Sequence, residues 1–261
     1  MKRNIFYGLV WTCGRVAFRR SKTVWEQPPA DDEPAVFVCN HAGIRGPAIM
    51  TLDFKRKHKT WTICYTLNRS TCPNFAFHDF FAGESRKHKK AWWALSRAVG
   101  IAMPHLFGVG DVIPLYHDER LVNTLRDSLE TLKSGEDIVI FAESPVRFSE
   151  YVNELQCGFA DLGYLYRLKT GKNLKFYPVY AEKKNRTIAI GAPIEYDPSV
   201  PARIQREQIS AYVRDGIDRM GRTLKKHKPV PFLPQRWYDH YGQYEHDLQS
   251  YWKLFEIPED K

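Results

Sequence analysis

"FVCNHAGIRGP", residues 37–47, sets the question that decides the fold. An apolar run, Phe37-Val38-Cys39, stops at Asn40-His41 and is followed by a short flexible stretch and then Gly46-Pro47. Val and Phe suit a buried strand, and Pro is favoured in the first turn of a helix. The stretch therefore reads as a strand–turn–helix junction with an imidazole at the carboxyl end of the strand. In α/β sheets that end of a strand is where functional groups gather.

Outward from this junction, strand-like and helix-like segments alternate. AVFVC (35–39), TWTICYT (60–66), VIPLY (112–116), DIVIFA (137–142), LKFYPVYA (174–181) and TIAIGAPI (187–194) read as strands. Helices are predicted from Pro47, over 89–103, over the stretch in which Val122, Leu125, Leu129 and Leu132 recur at helical spacing, up to Gly171, and over 203–227. The pattern predicts an α/β fold with a mixed, mostly parallel central sheet flanked by helices. Three parts are expected: an amphipathic helix over 1–25, an α/β domain over 35–228, and a C-terminal helix over 235–257. In the last, Trp237, Tyr241, Tyr244, Leu248, Tyr251 and Phe255 form one aromatic face. It suits packing on the parent domain, docking into a membrane interface, or a dimer contact.

The chain has 261 residues, enough for a substantial core, with 39 Lys and Arg against 30 Asp and Glu and a net charge of +9. Such a balance favours an anionic partner. The first apolar stretch, residues 5–14, is shorter than the ~20 residues a membrane span needs. Arginines flank it without a cleavage site, so it is read as interfacial or docked on the domain rather than as a signal peptide. Five scattered cysteines without a C-x-x-C pair argue for free thiols in a reducing compartment. No zinc-type spacing, G-x-S-x-G elbow or complete dinucleotide fingerprint is present, so metal, serine-hydrolase and dinucleotide chemistry are not expected. Basic clusters at 55–59, 86–90 and 225–228 lack an accompanying nucleic-acid motif.

Four segments carry a resemblance. CNHAGIRGP (39–47), GDVIPLYHDER (110–120), IVIFAES (138–144) and KFYPVY (175–180) follow the order and approximate spacing of the four motif regions of the glycerolipid acyltransferases of the 1-acylglycerol-3-phosphate acyltransferase type. The resemblance covers roughly residues 35–195. It implies transfer of a fatty acyl group from an acyl-thioester, on coenzyme A or acyl carrier protein, to a hydroxyl of a lysophospholipid or glycerol-phosphate-like acceptor, with no bound cofactor or metal. The free cysteines, the net positive charge and the N-terminal stretch together lead to the expectation of a cytoplasmic protein peripherally associated with an anionic membrane surface, and the basic clusters without a motif to no nucleic-acid partner.

In the family's first motif, NHxxxxD, the histidine is the general base and the aspartate orients it. His41 matches the base and Asn40 its neighbour, while Gly46 stands where the aspartate would be. His117 falls where the second motif places a phosphate-binding arginine, with Arg120 three residues on. Glu143 is retained in the third motif, Ser144 replaces its glycine, Arg147 follows, and Pro178 matches the fourth. The resemblance thus makes His41 catalytic and Asn40, Arg45, Gly46, His117, Arg120, Glu143, Ser144, Arg147 and Pro178 substrate-binding. Gly46 also reads as a helix N-cap before Pro47, with the helix's positive end favouring a phosphate or oxyanion. The missing carboxylate admits three arrangements: a replacement from Asp79, Glu84, Asp111 or Asp118; a backbone carbonyl orienting His41; or a catalytically inactive relative that binds lysolipid or acyl-thioester.

Overall fold

The structure, a computed structural model, describes residues 12, 15–30, 33–81, 88–107, 111–147, 150–245 and 247–255. In chain order these form β1 (Lys22–Trp25), β2 (Ala35–Cys39), α1 (Arg45–Asp53), β3 (His58–Ile63), α2 (Cys72–Phe75) and α3 (Lys89–Phe107). Next come β4 (Val112–Leu115), α4 (Leu121–Lys133), β5 (Asp137–Ile140), α5 (Asp161–Thr170) and β6 (Lys175–Glu182). The chain ends with β7 (Thr187–Ile190), β8 (Ile194–Glu195), α6 (Ala202–Thr223), α7 (Gln235–Tyr241) and α8 (Leu248–Lys253). The class is the expected one, α/β with a mixed, mostly parallel sheet, eight-stranded among the described residues.

Two compact units divide the chain, and they cut across the single 35–228 domain expected from sequence: 61–124 joins the C-terminal residues from Leu233, while the rest of the sheet belongs with 125–232. In the larger unit the strand order is β1-β7-β6-β2-β5-β3, with β8 also on β6. β2 runs parallel to both β5 and β6, and β1 runs parallel to β7, whereas the β6–β7 pair is antiparallel. Central position explains the composition of β2: all five residues, Ala35 to Cys39, are fully buried, as a strand covered on both faces requires. Phe37 stacks on Tyr177 at 5.0 Å between ring centroids and meets Phe54 at 4.9 Å. With Ile49, Met50, Val139, Val179 and Ile188 these rings form the core on which the end of β2 rests.

The N-terminal reading is only partly covered. Most of it lies outside the described residues, but Arg15–Ala17 is helical and Lys22–Trp25 is a strand, so the expected helix over 1–25 does not extend to its end. Thr23, Val24 and Trp25 are β-formers, and pairing with β7 gives them a ladder. No helix among the described residues is long and apolar enough to cross a membrane.

In the smaller unit the C-terminal segment is two short helices, not one. α7 gives way to a tight turn over Gly242–Tyr244, and α8 restarts after Asp247, whose carboxylate accepts the Ser250 N–H at 3.1 Å. The aromatic face is packed inward: Trp237, Tyr251 and Phe255 are fully buried, with Phe255 against Phe75 at 5.0 Å and Tyr65 at 5.4 Å. Trp237 Nε1–H donates to Tyr251 Oη at 3.0 Å, and that hydroxyl donates to Asp79 at 2.7 Å. Burial raises the Asp79 pKa to about 6, against the pull of the tyrosine hydrogen bond. Tyr251→Phe would leave a carboxylate and an indole N–H unpaired. Its expected outcome is a loss of about 1–3 kcal/mol, read as a lower denaturation midpoint.

Candidate active site

The site grows from the end of β2. Asn40 is buried, and its side chain continues the strand pairing where the backbone leaves it: Oδ1 accepts the Ala181 N–H at 2.7 Å and Nδ2 donates to the Ala181 carbonyl at 3.4 Å. The chain then turns sharply through two left-handed residues, Ala42 (φ 47°) and Gly43 (φ 62°). Glycine takes that conformation freely, while alanine is strained in it. The turn closes when the Arg45 N–H donates to the Ala42 carbonyl at 3.2 Å and the Gly46 N–H to the His41 carbonyl at 3.0 Å.

This turn orients the imidazole. His41 Nδ1 bonds to the Gly43 carbonyl. A carbonyl only accepts, so Nδ1 carries the proton and Nε2 keeps its lone pair. Phe232 lies over the ring at 4.3 Å between centroids, and Phe141 meets its edge at 5.4 Å. The ring is half-buried, and burial lowers its pKa to about 4 against the raising effect of the Gly43 carbonyl. The group is therefore a neutral imidazole at physiological pH.

Glu143 is brought to the same place but does not present its carboxylate to an open cleft. It is 4% exposed; Oε1 accepts the His41 backbone N–H at 2.5 Å and Oε2 accepts the Asn153 N–H at 3.0 Å. Burial raises its pKa, opposed by those two amides. Its observed contacts hold the backbone of His41 rather than reach outward. Among the described residues no carboxylate bonds to the His41 ring; the backbone carbonyl is the arrangement present. Of the four proposed replacements, Asp79 is engaged by Tyr251 and Asp118 by Arg120, these two and Asp111 belong to the smaller unit, and Glu84 lies outside the described residues.

Gly46 is not an N-cap. α1 begins one residue earlier at Arg45, with Ile44 as the cap. A Cβ on Gly46 would sit 2.1 Å from the Asn40 carbonyl oxygen and 2.8 Å from that of His41, so the residue is glycine because two backbone carbonyls occupy the space. The anion site expected at this helix start is also reduced. The Arg45 and Gly46 amides are used by the turn, and Pro47 has none.

The other predicted residues divide. Ser144 follows Glu143, and its carbonyl accepts from Asn153 Nδ2 at 3.1 Å, while Arg45 and Arg147 are exposed on the same unit. Pro178 is buried in packing, its ring lying where Cβ atoms on Gly191 and Gly216 would be. His117 and Arg120 belong to the smaller unit. His117 stacks on Trp252 at 4.0 Å, and burial lowers its pKa to about 4. Arg120 is paired with Asp118 at 2.6 Å and lies over Tyr116 at 4.6 Å.

Sequence reasoning missed Asn153 and Phe232. Asn153 ties Glu143 to the Ser144–Val146 segment, and an Asn among the apolar residues of the run YVNEL was its only sign. Phe232 sits in KPVPFLP, where an aromatic among prolines was the available signal. No group of three or more His, Cys, Asp or Glu placed to hold a metal is found among the described residues.

Comparison with known proteins adds a likeness among solved structures. No protein-family model matches the chain, and no curated protein matches its sequence. A crystal structure of the 1-acyl-sn-glycerophosphate (LPA) acyltransferase PlsC from Thermotoga maritima is similar. It is 16% identical, with 84% of this chain and 81% of that one covered and a TM-score of 0.46.

Proposed function

We propose that the chain is an acyltransferase that moves a fatty acyl group from an acyl-thioester to a hydroxyl of a lysophospholipid or glycerol-phosphate-like acceptor. The observation that carries this reading is the hydrogen bond from His41 Nδ1 to the Gly43 carbonyl, which leaves Nε2 as the base. Nε2 takes the proton of the acceptor hydroxyl as its oxygen attacks the thioester carbonyl. The tetrahedral intermediate collapses with loss of the thiolate, which recovers the proton from the imidazolium. Glu143 acts through the backbone, fixing where the ring hangs. Arg45, Ser144 and Arg147 are the groups we assign to the acceptor's polar end.

Without a carboxylate on Nδ1 the imidazolium is stabilised only by a carbonyl dipole. In a serine-protease triad, losing the equivalent carboxylate function costs ~10⁴ in rate, so turnover is expected to be slow. The test is transfer of a labelled acyl chain from acyl-coenzyme A or acyl carrier protein to a panel of lysophospholipid and glycerol-phosphate acceptors. Product formation supports the reading. Saturable binding without product supports a second one, an inactive relative that holds lysolipid or acyl-thioester. The Phe232 ring lying over His41 favours that second reading.

The lowered pKa gives a further expectation. Only the unprotonated ring is a base, so activity persists above the folded-state value and falls as pH drops through about 4. An unperturbed imidazole would lose activity from about 6.5 downward. The acidic limb of a kcat/KM profile checks this, and a limb centred near the ordinary histidine value would contradict it.

A further inference from the structure

α6 ends at Thr223, and the chain that follows, 224–232, lies in the larger unit without regular structure. Its first half is anchored. Lys226 is left-handed (φ 61°), a turn rarely taken by a residue with a side chain, and His227 comes next. His227 Nδ1 bonds to the Leu224 carbonyl at 2.9 Å, so Nδ1 carries the proton. In the neutral ring Nε2 then accepts from the Tyr180 hydroxyl at 3.0 Å. Tyr180 is a buried residue of β6, and the Tyr151 ring meets His227 at 5.4 Å between centroids. Asn185 Nδ2 adds a bond to the Lys225 carbonyl at 3.1 Å.

The second half is held differently. Among the described residues 228–232 makes no hydrogen bond, and Pro229 and Pro231 have no N–H to give. It ends in Phe232, whose ring lies over His41, and a Cβ on Gly43 would stand 4.0 Å from the Phe232 carbonyl oxygen. A segment tied at its root and resting on its target through a ring contact opens more readily than the sheet beneath it, since few hydrogen bonds break when it lifts. An acceptor hydroxyl on Nε2 and a thioester carbonyl beside it need space against this imidazole, and Phe232 covers one face of it.

We propose that 224–232 is an autoinhibitory lid: the His227–Tyr180 pair latches its root to β6, and Phe232 closes over His41 until the segment lifts. That His41 is a base rests on the acyl-transfer reading; the closure is tested without turnover. Diethyl pyrocarbonate carbethoxylates unprotonated imidazole nitrogens, and the His41 ring is unprotonated at neutral pH. The full chain is treated at neutral pH and modification of His41 is followed by peptide mass mapping, with the exposed His240 as internal reference. Among the described residues the ring contacts of Tyr180 are with Tyr151 and His227 and not with His41 or Phe232, so a movable segment is what carries the loss of its hydroxyl to His41. Tyr180→Phe is expected to speed modification of His41 by about 2–10-fold, the worth of one hydrogen bond. Phe232→Ala is expected to speed it on the order of 10-fold or more. Lys228→Gln, exposed on the same segment, should leave it unchanged, and His240 should react alike in every variant. His227→Leu repeats the latch test from the other side if circular dichroism shows Tyr180→Phe to be unfolded. Three results overturn the proposal: His41 of the parent modified as fast as His240, an unchanged His41 rate in the folded latch variant, or an unchanged rate in Phe232→Ala. Acceleration by Phe232→Ala alone marks a fixed packing contact, whereas absence of acyl transfer leaves the lid standing and removes only the base.

Discussion

His41→Ala is expected to lower acyl transfer by about 10²–10⁴-fold, the contribution of a positioned general base. The loss should fall on kcat, because Nε2 acts on a proton in flight and not on the resting acceptor. Folding should survive: the ring is half-buried and its neighbours are Phe141 and Phe232, while the residue's other anchor, the backbone N–H to Glu143, remains in the variant. Circular dichroism and the denaturation midpoint separate a lost base from a lost fold. Transfer at the parent rate by the folded variant would remove His41 from the mechanism. If the parent itself binds acyl-thioester without turnover, binding by His41→Ala at parental affinity would fit the non-catalytic reading.

Much of the fold was legible because its central strands are unusually plain. β2 is a short apolar run, and β5 after its Asp137 and β6 between its charged ends are nearly so, as strands buried on both faces must be. β1 was hidden because four edge residues follow Arg19 and Arg20, and charge masks a strand that is stable only through its partner β7. The division into two units was also hidden. It depends on Tyr65 and Phe75 meeting Phe255 from the far end of the chain, and periodicity records no such pairing. Likewise the 4-3 aromatic spacing of 237–255 runs through the break at Gly242 and still buries one face.

The site divides along the same line. A histidine and a glutamate each just past a strand end could be read from sequence, because side-chain type marks where a strand stops, while the parallel pairing of β2 with β5 that brings them together is seen in the structure. What Glu143 bonds to could not. Its partners are two backbone amides, and backbone geometry leaves no mark on residue type. Gly46 was read as a lost carboxylate and as a helix cap, yet the structure makes it a contact between a helix start and the carbonyls of Asn40 and His41.

That contact decides what a restored aspartate would do. Gly46→Asp is expected to destabilise the protein by about 3 kcal/mol or more and not to raise the rate, since overpacking against rigid atoms typically costs 1–3 kcal/mol. The first obstacle is the Cβ, placed 2.1 Å from one carbonyl oxygen and 2.8 Å from another, and backbone cannot rotate aside as a flexible side chain can. Gly46→Ala should therefore lose nearly as much, roughly 6–12 °C in denaturation midpoint for 3 kcal/mol in a chain near this size. Comparing the two variants separates steric from electrostatic effects, because both carry the Cβ and one carries charge. An aspartate at this position requires the chain between His41 and Gly46 to follow a different path, one in which Gly43 need not supply the acceptor for Nδ1. The carbonyl and the glycine are thus parts of one arrangement: the turn that brings the Gly43 oxygen to the ring is the turn that leaves no room for a side chain at 46. Should Gly46→Asp fold with an unchanged midpoint and gain activity, the turn is plastic and the carbonyl-oriented base is one of two states the loop can hold.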